Sequence, residues 1–212
     1  METENMKKIP VIVATVTALL TSALAAPHAF AQDLSQNALT VTAGTYQVEP
    51  RHTQVGFSVL HFGFTYYSGV FSHVSGMLKL DPAHPAASKL DVTIPINSVQ
   101  TTSAELDGKL KGAQWFDAAK DPTATFVSTK VIPTGANTAR VEGKLTIHGV
   151  TEPETLSVKL IGAGINPADN TYTVGFEAIG MIKRSQFGVN RYVPLVGDDV
   201  SLRIAGAFVL HH

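Results

Sequence analysis

The chain has 212 residues, a formal net charge of -1, 16% charged residues and no cysteine. That length suits one domain with a sizeable core, and so balanced a charge supplies no basic field for nucleic acid. Without cysteine there is no disulfide, thiolate nucleophile, thiolate zinc site or cysteine-linked haem, so the fold must be held by its apolar core.

In chain order, the first predicted element is an export signal over residues 1–31. Lys7 and Lys8 precede the apolar run "IPVIVATVTALLTSALAA", and "AFA" ending at Ala31 is a small-residue cleavage site. A second such site ends at Ala25. The competing reading is a membrane anchor, but the run contains Pro10 and several hydroxyl residues and lacks a cationic stop. Export places the mature protein in the periplasm. Residues 32–44, "QDLSQNALTVTAG", are small and polar and read as a flexible tether. The remaining residues, 45–212, form the domain.

From Thr45 onward, apolar residues recur at every second position, the pattern of strands with one apolar face. One face carries Val55, Phe57, Val59 and His61; the next carries Val70, Val74, Leu78 and Leu80; then come Leu90, Val92, Ile94 and Ile96. The pattern continues through Phe126, Ser128 and Ile132, through Val141, Gly143, Leu145 and Ile147, and through Leu156, Val158 and Leu160. It ends with Tyr172, Val174, Phe176, Ala178 and Ile182, then Val200, Leu202, Ile204, Phe208 and Leu210. "HPAAS", "PTGAN", "NPADN" and "VGDD" supply turn chemistry between runs. About eight strands of this kind predict an all-β, antiparallel up-and-down barrel, closed so that no edge is left free.

The period breaks once, between Thr101 and Pro122. Thr102 with Glu105 forms a capping box, Leu106 and Leu110 lie one turn apart, and Asp121-Pro122 ends the segment. The expectation is a short helical insertion carrying the single tryptophan, Trp115, and serving as a lid or as a bracing plug at one barrel end.

A barrel of about eight strands either fills with side chains or encloses one slender ligand. Gly143, Ala178, Gly180 and Gly206 fall among inward positions and are expected to leave space along the axis. The residues expected to touch a ligand there are Phe57, Val59 and His61, then Val74 and Ile94, then Trp115 of the insertion. Phe126, Leu145, Phe176, Ala178 and Ile204 complete the wall. Arg184 and Phe187, just past a strand, read either as a rim recognising a polar head or as a salt-bridged turn; Lys183 and Arg191 make that rim basic.

The histidines do not form a metal site. His52 and His61 bracket one strand and stand roughly 30 Å apart when extended. His52 is expected to pair with backbone, His73 to face solvent, and His148 to hydrogen-bond backbone at a glycine turn. No Gly-x-Ser-x-Gly elbow, phosphate loop or His-Glu-x-x-His motif occurs. The residues therefore point to a binding protein without catalysis or cofactor.

Five blocks, "YQVEPRHTQVGFSVLHFGF", "GVFSHVSG", "WFDAAKDPTATFVSTKV", "VEGKLTIHGVTEPETLSVKL" and "IKRSQFGVNRYVPLVGDDVSLRI", resemble in order the signature blocks of the YceI-like family. The resemblance implies a lipocalin-like barrel in the periplasm whose interior holds the tail of an isoprenoid lipid, a polyprenyl compound or isoprenoid quinone, or a similar long-chain amphiphile. One departure concerns the helical segment. Leu106 to Leu110 keep Asp107 but lack the family's Arg and His, so head-group contacts there do not carry over; Lys109 is the substitute cation. The alternative is a stress-response or protein-interaction module without cargo. The sequence leaves open whether the chain forms a homodimer or touches a membrane or membrane protein to transfer its ligand.

Overall fold

The computed structural model describes residues 34–211, so the predicted export signal lies outside the described residues. Among the described residues the strands are β1 (Gly44–Val48), β2 (Gln54–His61), β3 (Thr65–Phe71), β4 (Ser75–Leu80), β5 (Lys89–Pro95), β6 (Thr123–Pro133), β7 (Thr138–Ile147), β8 (Val150–Ile165), β9 (Tyr172–Lys183) and β10 (Val196–Leu210), with one α-helix, α1 (Ala104–Lys111). All pair antiparallel in a single sheet that closes through β10.

The closure explains the strand count. β10 pairs with β1 at Phe208 and beyond, and with β2 from Val196 to Ala205, so β1 and β2 are two halves of one barrel position. β3 and β4 are likewise halves of the next, pairing with β2 and β1 respectively. Ten strands with two such pairs counted once each give the eight positions predicted. At the β2–β3 end, the free edge of β3 meets Gln100 through the Val70–Gln100 bridge, and the segment leading into α1 fills the wall.

The β1–β2 break is stitched by side chains. The Thr53 hydroxyl donates to Ala207 O at 3.2 Å and accepts from Ala207 N at 3.0 Å, replacing the interrupted ladder. Glu49 accepts from the backbone N–H of His52 at 2.8 Å and bonds its Nδ1 at 2.6 Å, while Arg51 Nε donates to the other carboxylate oxygen at 2.9 Å. His52 is thus tied to a carboxylate rather than to backbone carbonyls, and its side chain is solvent-exposed. Because exposed pairs contribute little, His52→Ala should cost under about 1 kcal/mol by urea denaturation.

Glu49 is more consequential. Burial opposes its ionisation, but the hydrogen bonds from Arg51 and His52 prevail and hold the carboxyl below its usual 4.5. A folded-state value below the unfolded one contributes stability above the unfolded value and loses it as pH falls through the folded one. Urea midpoints measured at decreasing pH should therefore fall below about pH 4.5 in the native chain, and less steeply in Glu49→Gln.

Bulges move several residues off their expected face. The register shift between Ser128 and Lys130 turns Val131 and Pro133 inward, so Ile132 points outward against expectation. Val70 is also outward, paired with Gly56, because the chain changes direction at Ser72-His73-Val74, where exposed His73 takes φ +56°; Phe71 and Val74 face in instead. "VGDD" is not a separate turn but the irregular start of β10. The β7–β8 hairpin turns at His148-Gly149, both at positive φ, as a two-residue type I′ loop requires.

Residues 34–44 are not a free tether. Ser35 bridges Ala163, Ala38–Thr40 form a 3-10 turn capped by Asn37, and Val41 is buried. Ala38 and Val41 pack over the barrel end away from α1, and the Tyr172 hydroxyl oxygen accepts from Thr42 N at 3.2 Å. In α1 the cap is Ser103, which accepts from Leu106 N, while Thr102 instead meets the Tyr67 hydroxyl at 3.0 Å. Glu105 pairs with Lys109 one turn on, and Asp107 accepts from Thr101 N and Oγ1, each at 2.7 Å. The helix ends at Gly112, before Asp121-Pro122, and turns continue the insertion.

Candidate functional site

The barrel interior holds two chambers in tandem. The upper one, about 660 Å3, lies under α1 and the β2–β3 hairpin; the lower, about 400 Å3, reaches the 3-10 turn at Ala38. They share Val55, Ile94, Leu145, Ile182 and Leu202 as walls. Each is within or near the size range of small-ligand sites, and each is lined mainly by carbon.

Every residue predicted to face a ligand borders one of the chambers. Phe57, Val59, His61, Trp115, Arg184 and Phe187 line the upper one. Val74, Phe126, Phe176, Ala178 and Ile204 line the lower, and Ile94 and Leu145 touch both. Sequence reasoning did not select Leu106 and Leu110 of α1, whose one-turn spacing was the available signal, nor Val189 and Tyr192, which sit in an irregular loop without any period.

The glycines meet the expectation only in part. A Cβ on Gly143 would stand 2.3 Å from the Phe126 ring, one on Gly180 2.7 Å from Leu156, and one on Gly206 3.1 Å from Phe208. These positions let neighbouring side chains lie flat on the wall; Gly180 and Gly206 also border the lower chamber, whereas Gly143 borders neither chamber. Ala178 borders the lower chamber as well.

Arg184 borders the upper chamber and, rather than forming a salt-bridged turn, spends its guanidinium on backbone carbonyls. The residue is 7% exposed, and its guanidinium donates from Nη1 to Val189 O at 2.7 Å, from Nη2 to Val196 O at 2.8 Å and from Nε to Gly197 O at 2.8 Å. Burial lowers its pKa, with Asp198 opposing, but a guanidinium stays charged. It also lies 5.7 Å from the Trp115 ring centroid, joining this corner to the insertion. Asp198 meanwhile accepts from Ser185 N and Oγ, and His148 Nδ1 bonds Phe187 O at 3.4 Å, the backbone contact predicted for that histidine.

Other polar groups are sparse. His61 is exposed at the upper opening, its ring edge-on to Phe62 at 4.4 Å between centroids. Lys183 is neutralised by Asp199 at 2.7 Å and does not line either chamber, whereas Arg191 lines the upper one and stacks on Tyr192. Lys109 reaches the same chamber but is paired with Glu105. In the lower chamber, burial and then neighbouring Glu152 hold the Glu154 carboxyl above its usual range.

The sequence profile described as a YceI-like domain matches residues 46–208, the whole barrel. The chain belongs to the YceI-like family. A UPF0312 protein of Pectobacterium atrosepticum is 38% identical over 160 residues, covering 76% of this chain and 82% of that one. Among solved structures, BcnA of Burkholderia cenocepacia superposes with a TM-score of 0.68 at 30% identity, over 76% of this chain and 98% of BcnA. A polyisoprenoid-binding domain of Saccharophagus degradans, implicated in plant cell wall breakdown, shares the fold at 14% identity and a TM-score of 0.59, over 80% of this chain and all of that domain. The YceI-like signature blocks map onto the corners just described: "LTIHGVT" is the β7–β8 hairpin and "RSQFG" the turn that Arg184 pins.

Proposed function

We propose that this YceI-like barrel binds an isoprenoid lipid, a polyprenyl compound or isoprenoid quinone, or a similar long-chain amphiphile, and stores or carries it in the periplasm. The observation that carries the reading is the pair of apolar chambers with common walls along one axis, the form a long tail needs and a compact polar substrate does not. The predicted export signal supports the compartment, and the shared fold of a polyisoprenoid-binding domain supports such cargo. At about 0.8 kcal/mol per buried methylene, a tail of on the order of 20 carbons contributes roughly 15 kcal/mol gross. Ordering the flexible tail offsets much of this, which places affinities in the micromolar to nanomolar range.

Mass spectrometry of an organic extract of the protein purified from its native periplasm should reveal a stoichiometric long-chain isoprenoid or amphiphile. A clean extract, together with no uptake of an added fluorescent prenyl probe, would remove the reading. His61 stands at the upper opening, where the head of a ligand with its tail inward would come to rest. His61→Ala is accordingly expected to weaken probe binding about two- to tenfold, the effect of roughly one lost hydrogen bond, with the melting temperature unchanged.

A further inference from the structure

The upper chamber opens between two loops that expose large apolar side chains. On the β2–β3 hairpin these are Phe62, Phe64 and Tyr66, with Phe64 87% and Tyr66 72% exposed; on the loop before β10 they are Tyr192 and Leu195, 50% and 62% exposed. Such a cluster on a small barrel is far from the usual scatter of single exposed apolar residues. The loops form one unit, since Phe62 N donates to Leu195 O at 2.9 Å and His61 pairs in register with Val196. Phe62 and Tyr192 also line the chamber, so the exposed apolar surface runs without a break into the cavity.

The charges on these two loops have one sign. Residues 61–67 and 189–196 contain no carboxylate, and Arg191 stands over the Tyr192 ring at 4.6 Å. Lys109 reaches the same opening, its pair with Glu105 leaving the helix neutral there. Aromatic side chains with a cation and no acid form the composition of surfaces that seat at a membrane interface, where rings occupy the headgroup level and cations meet phosphates. A bilayer also accepts a rim surrounding an open cavity, a shape for which a folded partner would need a matching protrusion.

We propose that this rim docks on an anionic lipid bilayer, with Phe64, Tyr66 and Leu195 entering the boundary between headgroups and acyl chains and Arg191 remaining with the phosphates. The upper chamber would then face the membrane, giving the lipid-binding reading, on which this inference rests, a route for cargo. Phe64 and Leu195 lie outside both chambers, so a Phe64→Asp/Leu195→Asp variant tests docking separately from cargo binding.

In vesicle flotation, the native protein should float with phosphatidylcholine vesicles containing phosphatidylglycerol and less with phosphatidylcholine alone. The variant's partition should fall at least about tenfold, with its melting temperature and its affinity for a soluble prenyl probe unchanged. Equal flotation of the two proteins, or no flotation of the native one, would overturn the proposal. A native dimer that the variant dissolves, without vesicle binding, would assign the surface to a second copy and overturn it too. If neither protein bound the probe while flotation still separated them, docking would stand and the cargo reading would fail.

Discussion

Arg184→Met should destabilise the barrel by about 3–5 kcal/mol, the largest stability effect expected at any single position of the site. Methionine keeps much of the apolar length but donates nothing, so the carbonyls of Val189, Val196 and Gly197 lose their partners in an environment where Arg184 itself is 7% exposed. Each unmet buried carbonyl costs about 1–3 kcal/mol, and whole domains are stable by only about 5–15 kcal/mol. Arg184→Lys should fall between the two, because one ammonium cannot span acceptors on both sides of the turn. Lys183→Met, one residue earlier, removes only an exposed pair with Asp199 and should cost under about 1 kcal/mol. Urea denaturation of the three variants checks the order; an Arg184→Met loss as small as that of Lys183→Met would contradict the buried corner described here.

Ala178→Trp should weaken probe binding about a hundredfold or more while leaving the empty barrel close to native stability. Ala178 lies in register between Val158 and Ile204 and borders the lower chamber of about 400 Å3, so an indole there takes volume that a tail would use. Excluding about four methylenes at about 0.8 kcal/mol each removes roughly 3 kcal/mol of binding, a hundredfold or more in affinity. A filled core would respond in the opposite way, with an overpacking cost of about 1–3 kcal/mol. Gly143→Ala supplies that contrast, since its methyl would meet Phe126 at 2.3 Å and Val127 O at 2.7 Å. Denaturation of the delipidated proteins, paired with probe titration, distinguishes the cases; an Ala178→Trp protein that is destabilised yet still binds would show that Ala178 does not border usable space.

The period-two pattern was enough to read the architecture and most of the wall. Alternation is a property of each strand alone, because successive side chains of an extended chain point to opposite faces whatever lies beside them. Phe57, Leu145, Phe176 and Ala178 could therefore be placed inward from sequence, and a count of such strands implied closure. The His148-Gly149 turn was legible for the same reason: its geometry is local.

What the tertiary structure alone decided depends on a neighbour that the local pattern does not contain. A bulge is a mismatch between two strands, so the exchange of Ile132 for Val131 on the inner face is invisible until β7 is in place. Gly143 read as space because only its own missing side chain was visible in the sequence; the Phe126 ring of the neighbouring strand fills that position. Residues 34–44 looked like a tether by their polarity, but Ala38 and Val41 gained a surface to bury against once the barrel end existed. The sequence left Arg184 between a rim group and a salt-bridged turn; three carbonyls brought together by the return of residues 189–197 compensate its burial, and only the folded chain assembles them.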